Sequence, residues 1–530
     1  MFRKFIASFI LILTVALCAA RAGADDQPYD LLIKNARIID GTGKPAFDGD
    51  VAIRADRIVA VGKIDNRSAN RTIDAAGLVV APGFIDVHTH VDSDILRLPA
   101  AENFIRDGVT TIVCGNCGGS VTSVADYFNR IKDKGSAVNV ATLYGHNTVL
   151  KEVKGDNGAK LSPEQMSRAK DLIRQAMRDG AVGFSTGLIY TPGMYSPTDE
   201  IIELAKAAAE FNGIYATHMR SEGTQILDAI DEALRVGREA KIRVEISHFK
   251  LPADVARNIG GARTTLGKVL EARAAGQDVW LDQYPYTASS TTISTLLPDW
   301  VLEKGNDEGR KILSDPEQVD RVLADMKDNY ENKRKRKSLA YAVIASSRAY
   351  PEFAGRDLET AAQILKLRRE GKKDPELLSA SPEKLPPVSM EDQYRAVIDI
   401  WLKGGASCVF HSMNEEEVMN ILKCPLVAVA SDSGVRELGV GVPHPRGYGT
   451  NARVLGRYVR ELKLITLEDA VRKMTSLPAM AFRFNDRGQL KPDFKADLVI
   501  LDPENVADKA TFENPHQYSV GMKYVITSGG

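Results

Sequence analysis

The sequence predicts an α/β protein: a (β/α)8 barrel of the TIM type, with a small β-sandwich domain built from both chain ends and a helical lid insertion. Three observations carry this reading. Eight short apolar runs of β character alternate with amphipathic helical patterns, as in a barrel whose parallel strands are buried beneath an outer ring of helices. Further short β runs precede the series, and another follows it. A charged helical stretch interrupts it between the seventh and eighth runs. A doubly wound sheet is the alternative, but no glycine-rich phosphate loop follows the first strand.

A chain of 530 residues is long enough for a large α/β domain with an appendage. With 44% hydrophobic and 26% charged residues and a net charge of −1, it has no basic excess to suggest nucleic acid as a partner. The first residues differ. Arg3 and Lys4 precede an apolar stretch from Phe5 to Ala20, and Ala22-Gly23-Ala24 is a small-residue cleavage site. Residues 1–24 read as a secretory signal peptide cut after Ala24, which predicts an exported protein, periplasmic in a Gram-negative host. The apolar core is short for a membrane span, so no stable membrane anchor is expected after cleavage. Leu17 is not the small residue that a lipoprotein site needs before its cysteine, so Cys18 is expected to leave with the signal. Cys114, Cys117, Cys408 and Cys424 remain, too few to be the scaffold of so long a chain.

Residues 25–80 form the first part of the small β domain. Leu31-Leu32-Ile33, Ala36 to Ile39, Val51 to Ile53 and Ile58 to Val61 are its strands, with Asn35, Gly41-Thr42-Gly43 and Asp56 as turn residues. The barrel occupies 81–484. Its predicted strands are Leu78–His90, Thr110–Cys114, Val138–Tyr144, Ala181–Ser185, Ile214–His218, Val244–His248, Val279–Tyr284 and Leu426–Ser431. Pro163–Arg178, Asp199–Phe211 and Thr224–Ala240 are amphipathic helices between them. The insertion, at about 296–399, lies on the side where loops frame a barrel's active site, the position of a lid. Its basic run Lys333 to Lys337 reads as a solvated face. Leu467–Met474 is helical. Residues 485–530 return to β, and Lys495–Leu501 is expected to pair with the N-terminal sheet.

Five predicted strands lead into groups that bind metals or move protons. The first ends in His88-Thr89-His90, whose two imidazoles project from one face of a strand. The second leads to Cys117, the fifth ends in His218, the sixth in His248, and the eighth leads to Asp432. Four of the eight histidines thus fall at strand exits. In a closed barrel these groups converge on one mouth. Nitrogen and thiolate donors with a carboxylate suit Zn²⁺ and leave room for a water. For single residues the plainer readings are a satisfied buried histidine, a turn aspartate before Gly434, and a Cys114–Cys117 bridge of demanding geometry.

The stretches GFIDVHTH (83–90), GNCG (115–118), ATHMRSEG (216–223), SHFK (247–250), YPYTASST (284–291), ASDSG (430–434) and HPRGYGT (444–450) resemble the amidohydrolase superfamily, and within it the D-aminoacylase (N-acyl-D-amino-acid deacylase) family. The resemblance covers the chain from about Tyr29 onward. It implies zinc-dependent hydrolysis of the amide bond of N-acyl-D-amino acids, releasing a D-amino acid and a carboxylate. It implies that Cys117, His218 and His248 hold one zinc tightly and that His88 and His90 line a second, weaker site. Asp432 would take a proton from the attacking water and return it to the departing amine. Arg446, Lys250, Tyr190, Tyr284 and Ser289 match the positions that grip the substrate carboxylate, and His146 is expected near the pocket. Gly183 to Gly187 offers no lysine where many amidohydrolases carry a carbamylated one. The chain departs from the family at Cys114, which is usually not cysteine, and at Phe249, where another histidine is common. The family's terminal sheet normally continues past the position of Gly530. A dipeptidase or cyclic-amide hydrolase on the same site, or a catalytically silent metal-binding barrel, are the other functions these residues allow. Composition says nothing of oligomeric state.

Overall fold

A computed structural model describes residues 28–64, 68–372, 378–379 and 381–528; the predicted signal peptide, with Cys18, lies outside the described residues. The spine of the small domain is β1 (Tyr29–Ile38), where two separate strands were expected. Asn35, read as a turn residue, sits instead in a bulge within β1 at φ 60°, a conformation asparagine tolerates. One edge of β1 pairs antiparallel with β2 (Phe47–Arg54), which pairs with β3 (Arg57–Gly62). The other edge runs parallel first to β4 (Ala69–Asp74) and then to β5 (Val79–Pro82). Ile33, Ile38, Val51 and Ile58 are fully buried between these strands and the C-terminal segment.

The barrel strands follow in chain order, each parallel to the next: β6 (Phe84–Asp86), β7 (Val109–Cys114), β8 (Asn139–Thr142) continued as β9 (Tyr144–Gly145), β10 (Gly183–Gly187), β11 (Ile214–His218), β12 (Arg243–Ile246) and β13 (Val279–Gln283). Most are buried on both faces, which is why they read as continuous apolar runs. Helix Pro163–Arg178 starts at the Ser162 capping box, with Pro163 in its first turn, and turns Ala169, Ile173 and Ala176 onto the strands. Thr198–Ala209 packs beside it, and Ile226–Ala240 beside that helix, in the same apolar layer.

After β13 the chain leaves the barrel. β14 (Ser289–Thr292), β15 (Ala342–Ser346) and β16 (Ser407–Phe410) form an antiparallel sheet in the order β14-β16-β15. Helices Asn306–Ser314, Pro316–Lys327, Leu358–Arg369 and Met390–Leu402 pack on it around their own core, which includes Leu323, Ile344, Phe353 and Val397. The insertion therefore carries a sheet besides its helices. β14 is Ser-Ser-Thr-Thr, with no apolar alternation to announce it. In the basic run, Lys333, Arg334, Lys335 and Lys337 are exposed, and Arg336 stacks 3.6 Å over the Tyr341 ring.

The chain returns as β17 (Val427–Val429), parallel to β13. The Asp432 amide donates to the His88 carbonyl and the His90 amide to the Ser433 carbonyl, each at 2.9 Å, closing the barrel between its first and last strands. β18 (Leu498–Leu501) pairs with β5, and β19 (Met522–Ile526) pairs with β18, so both ends of the chain share one seven-stranded sheet. Among the described residues no helix is long and apolar enough to cross a membrane.

Candidate metal and active site

The side chains at the strand exits converge. Cys117 Sγ lies 3.4 Å from His88 Nε2, 3.7 Å from His218 Nδ1 and 3.5 Å from His248 Nε2. Cys117, His248 and Asp432 all take left-handed backbone, at φ 52°, 38° and 51°, a conformation that costs a non-glycine residue roughly 1–2 kcal/mol. Three strained positions at one mouth mark a surface held in place by its surroundings. The clamp on Cys117 is visible. The Ser185 hydroxyl donates to the Gly115 carbonyl at 2.5 Å and accepts from the Gly118 amide at 3.1 Å, tying down both sides of the turn. Asn116 Nδ2 donates to the Val113 carbonyl at 3.0 Å. Gly187 leaves room for the turn, since a Cβ there would stand 2.1 Å from the Cys117 carbonyl oxygen.

The donor set fits zinc. Tetrahedral bonds of ~2.0 Å to nitrogen and ~2.3 Å to sulfur would set sulfur and nitrogen about 3.5 Å apart, close to each of the three separations from Cys117. Burial pushes the Cys117 thiol up, but the charges of His88 and His248 outweigh it and hold the thiol well below its ordinary value, favouring the thiolate that binds metal. His90 belongs to a second group with His88 and Cys117, and its side chain is 40% exposed toward the mouth.

Asp432 spans the two sides of the site. Its Oδ1 lies 3.0 Å from His90 Nε2 and 3.7 Å from His88 Nε2, and its Oδ2 lies 2.9 Å from Arg446 Nη1. Burial alone would raise its carboxyl, but the Arg446 guanidinium and the His90 hydrogen bond hold it well below the usual carboxylate range. Around it opens a cavity of about 630 Å³, lined by Lys250, Tyr190, Tyr284, Ser289 and Arg446 together with the metal-type ligands His90, Cys117, His218 and His248. The Arg446 guanidinium stacks 4.5 Å over the Tyr284 ring, and the buried Tyr284 hydroxyl has no hydrogen-bond partner among the described residues. The Tyr190 hydroxyl is 2.8 Å from Thr291 Oγ1 on β14, so the insertion forms one wall. His146 does not reach the cavity. It is fully buried edge-on to Phe184, 3.5 Å from Ser196 Oγ, and burial, with the charges of Lys154 and Arg220, pulls its imidazole down to about 3.

Several neighbours of the site went unread in the sequence. Glu222 faces His218, His248 and Lys250. Asp282, inside β13, lies 3.4 Å from His88 Nδ1 and accepts from the His248 amide at 2.8 Å. His444 accepts from the Arg446 amide at 3.0 Å and donates to the Ala288 carbonyl. His516 bridges the Tyr448 hydroxyl and the Gly441 carbonyl. Asp282 did leave a signal, a lone carboxylate within an apolar strand; Glu222 left only its place four residues after His218. All four cysteines of the described residues are free thiols, and Cys114 lies 3.5 Å from the Tyr127 hydroxyl.

Comparison with known proteins bears on this geometry. The profile of the Amidohydrolase family matches residues 71–316 and 413–530. The chain is 35% identical to a D-aminoacylase of Alcaligenes xylosoxydans xylosoxydans, over 96% of this chain and 95% of that protein. It is 34% identical to an N-acyl-D-aspartate deacylase of the same organism, over 96% and 93%. Among solved structures, the N-acyl-D-glutamate deacylase of Bordetella bronchiseptica, complexed with zinc and a phosphonate mimic of the tetrahedral intermediate, superposes with a TM-score of 0.77 at 32% identity, covering 95% of this chain and 96% of that one.

Proposed function

The chain belongs to the amidohydrolase family, and from that premise we propose that it is a zinc-dependent deacylase, hydrolysing the amide bond of N-acyl-D-amino acids to a D-amino acid and a carboxylate. The observation that carries this is the position of Asp432: a buried carboxylate within reach of His90 and Arg446, beside the Cys117–His218–His248 donor cluster. Relatives named for D-aspartate and D-glutamate substrates support the D-amino-acid class.

Cys117, His218 and His248 would hold the zinc tightly, and His88 and His90 would line the weaker position. Bound there, zinc supplies a Lewis acid for the scissile carbonyl and lowers the pKa of water. Asp432, kept ionised by Arg446, takes the proton of the attacking water through the oxygen that faces His90 and His88. The same carboxyl then protonates the leaving nitrogen, so one group serves as base and acid. The guanidinium of Arg446 is buried with its Nε and Nη1 lacking aligned hydrogen bonds, and its planar fork suits a carboxylate. It would bind the substrate carboxylate beside Tyr284, with Lys250, Tyr190 and Ser289 on the same wall. Helices and sheet of the insertion form the lid over that wall. The leader read in residues 1–24 supports an enzyme working outside the cytoplasm, in the periplasm where the host has one.

The test is free-amine release by the zinc-loaded protein from paired N-acetyl-D- and N-acetyl-L-amino acids. Release from the D-forms alone, lost in Cys117→Ala, is the expected result. Release from L-forms or dipeptides would keep the chemistry and overturn the substrate, and no release from any amide with zinc bound would overturn the function.

A further inference from the structure

We propose that Glu222 is a positioning residue: one partly buried carboxylate that sets the orientation and tautomer of both His218 and His248 and keeps Lys250 from undoing it. The part that concerns the metal cluster stands on geometry alone, and the part that gives Lys250 a substrate rests on the deacylase reading.

Glu222 lies in the loop after β11, its side chain 17% exposed. Its Oε2 is 3.6 Å from His218 Nε2, and its Oε1 is 3.0 Å from His248 Nδ1 and ion-paired with the Lys250 ammonium. The two rings meet Cys117 through different nitrogens, Nδ1 of His218 and Nε2 of His248. In each ring the nitrogen left over is the one that faces Glu222. A neutral imidazole carries one N–H and one lone pair, and an ionised carboxylate only accepts. Both N–H groups therefore turn to Glu222, and both lone pairs are left facing the Cys117 sulfur, as a metal requires. His218 Nε2 has no aligned hydrogen bond to any described group, and the carboxylate within ion-pair reach of it is Glu222, at 3.6 Å.

Lys250 makes this necessary. Its Nζ lies 2.8 Å from His248 Nδ1. An ammonium has donors and no acceptor, so a lysine bonded to Nδ1 would move the imidazole proton to Nε2 and close the lone pair that faces Cys117. Glu222 draws the ammonium onto its own oxygen, and the His248 carbonyl takes a second of its donors at 3.0 Å, so His248 Nδ1 keeps its proton while Lys250 lines the cavity.

The experiment measures zinc affinity by competition with a chelating dye for four proteins: wild type, Glu222→Gln, Lys250→Met and the double variant. Glu222→Gln should bind zinc roughly 10–100-fold more weakly, as loss of a histidine's carboxylate partner does elsewhere. Lys250→Met should keep wild-type zinc affinity while raising KM for an N-acetyl-D-amino acid. The double variant should stay weak, because the histidines have lost their acceptor whether or not the lysine is present. Wild-type affinity in Glu222→Gln would overturn the proposal. So would full recovery in the double variant, which would make Glu222 only the counter-ion of Lys250. If Glu222→Gln does not fold, Glu222→Asp, one methylene shorter, should still show weakened zinc binding in a protein with a wild-type circular dichroism spectrum, and undiminished affinity there overturns the proposal. Tight zinc binding by a wild-type protein that cleaves no amide would sink the deacylase reading and leave this one intact.

Discussion

Replacing Gly187 by alanine tests whether the Cys117 turn is held to sub-ångström tolerance. Gly187 ends β10 and takes no part in the chemistry. An added Cβ would stand 2.1 Å from the Cys117 carbonyl oxygen and 2.7 Å from a ring carbon of Tyr190. Cβ atoms essentially never come closer than 3.0 Å to a neighbour, so the turn must retreat by about 0.9 Å. It cannot swing freely, because Ser185 grips it at Gly115 and Gly118. Overpacking of this kind costs about 1–3 kcal/mol of stability. The larger effect is on geometry. A displacement near 1 Å of a site component costs on the order of 100-fold in turnover. Sulfur–nitrogen separations now close to the tetrahedral value would also open, weakening zinc. The assay is zinc stoichiometry by metal analysis alongside turnover at saturating zinc, with circular dichroism to confirm folding. An alanine variant with full zinc and wild-type turnover would refute the claim that this glycine fixes the ligand turn.

Four further outcomes are expected. Gly267→Ala, inside helix Ala262–Ala274 with nothing within 4 Å of the new Cβ, should stabilise the protein by about 0.8–1 kcal/mol in urea unfolding. Asp432→Asn should retain zinc in metal analysis and lose roughly 10²–10⁴-fold in turnover, as removal of a general acid–base does. Arg446→Lys should raise KM several-fold in steady-state assays, because a point charge replaces a fork stacked on Tyr284. Burial lowers Lys473 to about 8, so above that pH the folded protein releases a proton that the unfolded chain keeps up to 10.5. Stability should therefore rise with pH across that window, and the rise in melting temperature should be smaller in Lys473→Met.

What the sequence revealed and what it hid follow from locality. The barrel strands were legible because parallel strands buried on both faces need continuous apolar runs, and β7, β10, β11 and β13 are buried throughout. His88, His90, His218, His248 and Asp432 were legible because polar groups at the ends of such runs stand out, whereas Cys117, three residues past the end of β7, was read as a ligand through the family resemblance. Their mutual distances were not legible, since these are set by how strands far apart in the chain line up around the barrel, and those to Asp432 by the closure between β6 and β17. Glu222 illustrates the limit. Its partners His248 and Lys250 come from the next strand, and no local pattern says that a loop carboxylate turns inward. His146 shows the opposite error: a histidine ending a strand but facing the outer layer, beside Phe184, because the turn at Gly145 starts helix His146–Lys154 there. The β14–β16 sheet was hidden by hydroxyl side chains whose strand character comes from pairing alone.

The order of the site's parts along the chain has a consequence for biosynthesis. Cys117, His218 and His248 are complete once the sixth barrel strand has been made, whereas Asp432 and Arg446 come only after the whole insertion and β17. At ~5–20 residues per second, roughly 10–40 s separate the two on a translating ribosome. Until then a nascent chain carries the thiolate and imidazoles of the cluster but not the carboxylate proposed to move protons. On the proposed mechanism, amide cleavage waits for the last strand to lock against the first, so the residues proposed to hold metal and the residue proposed to use it are made at different times.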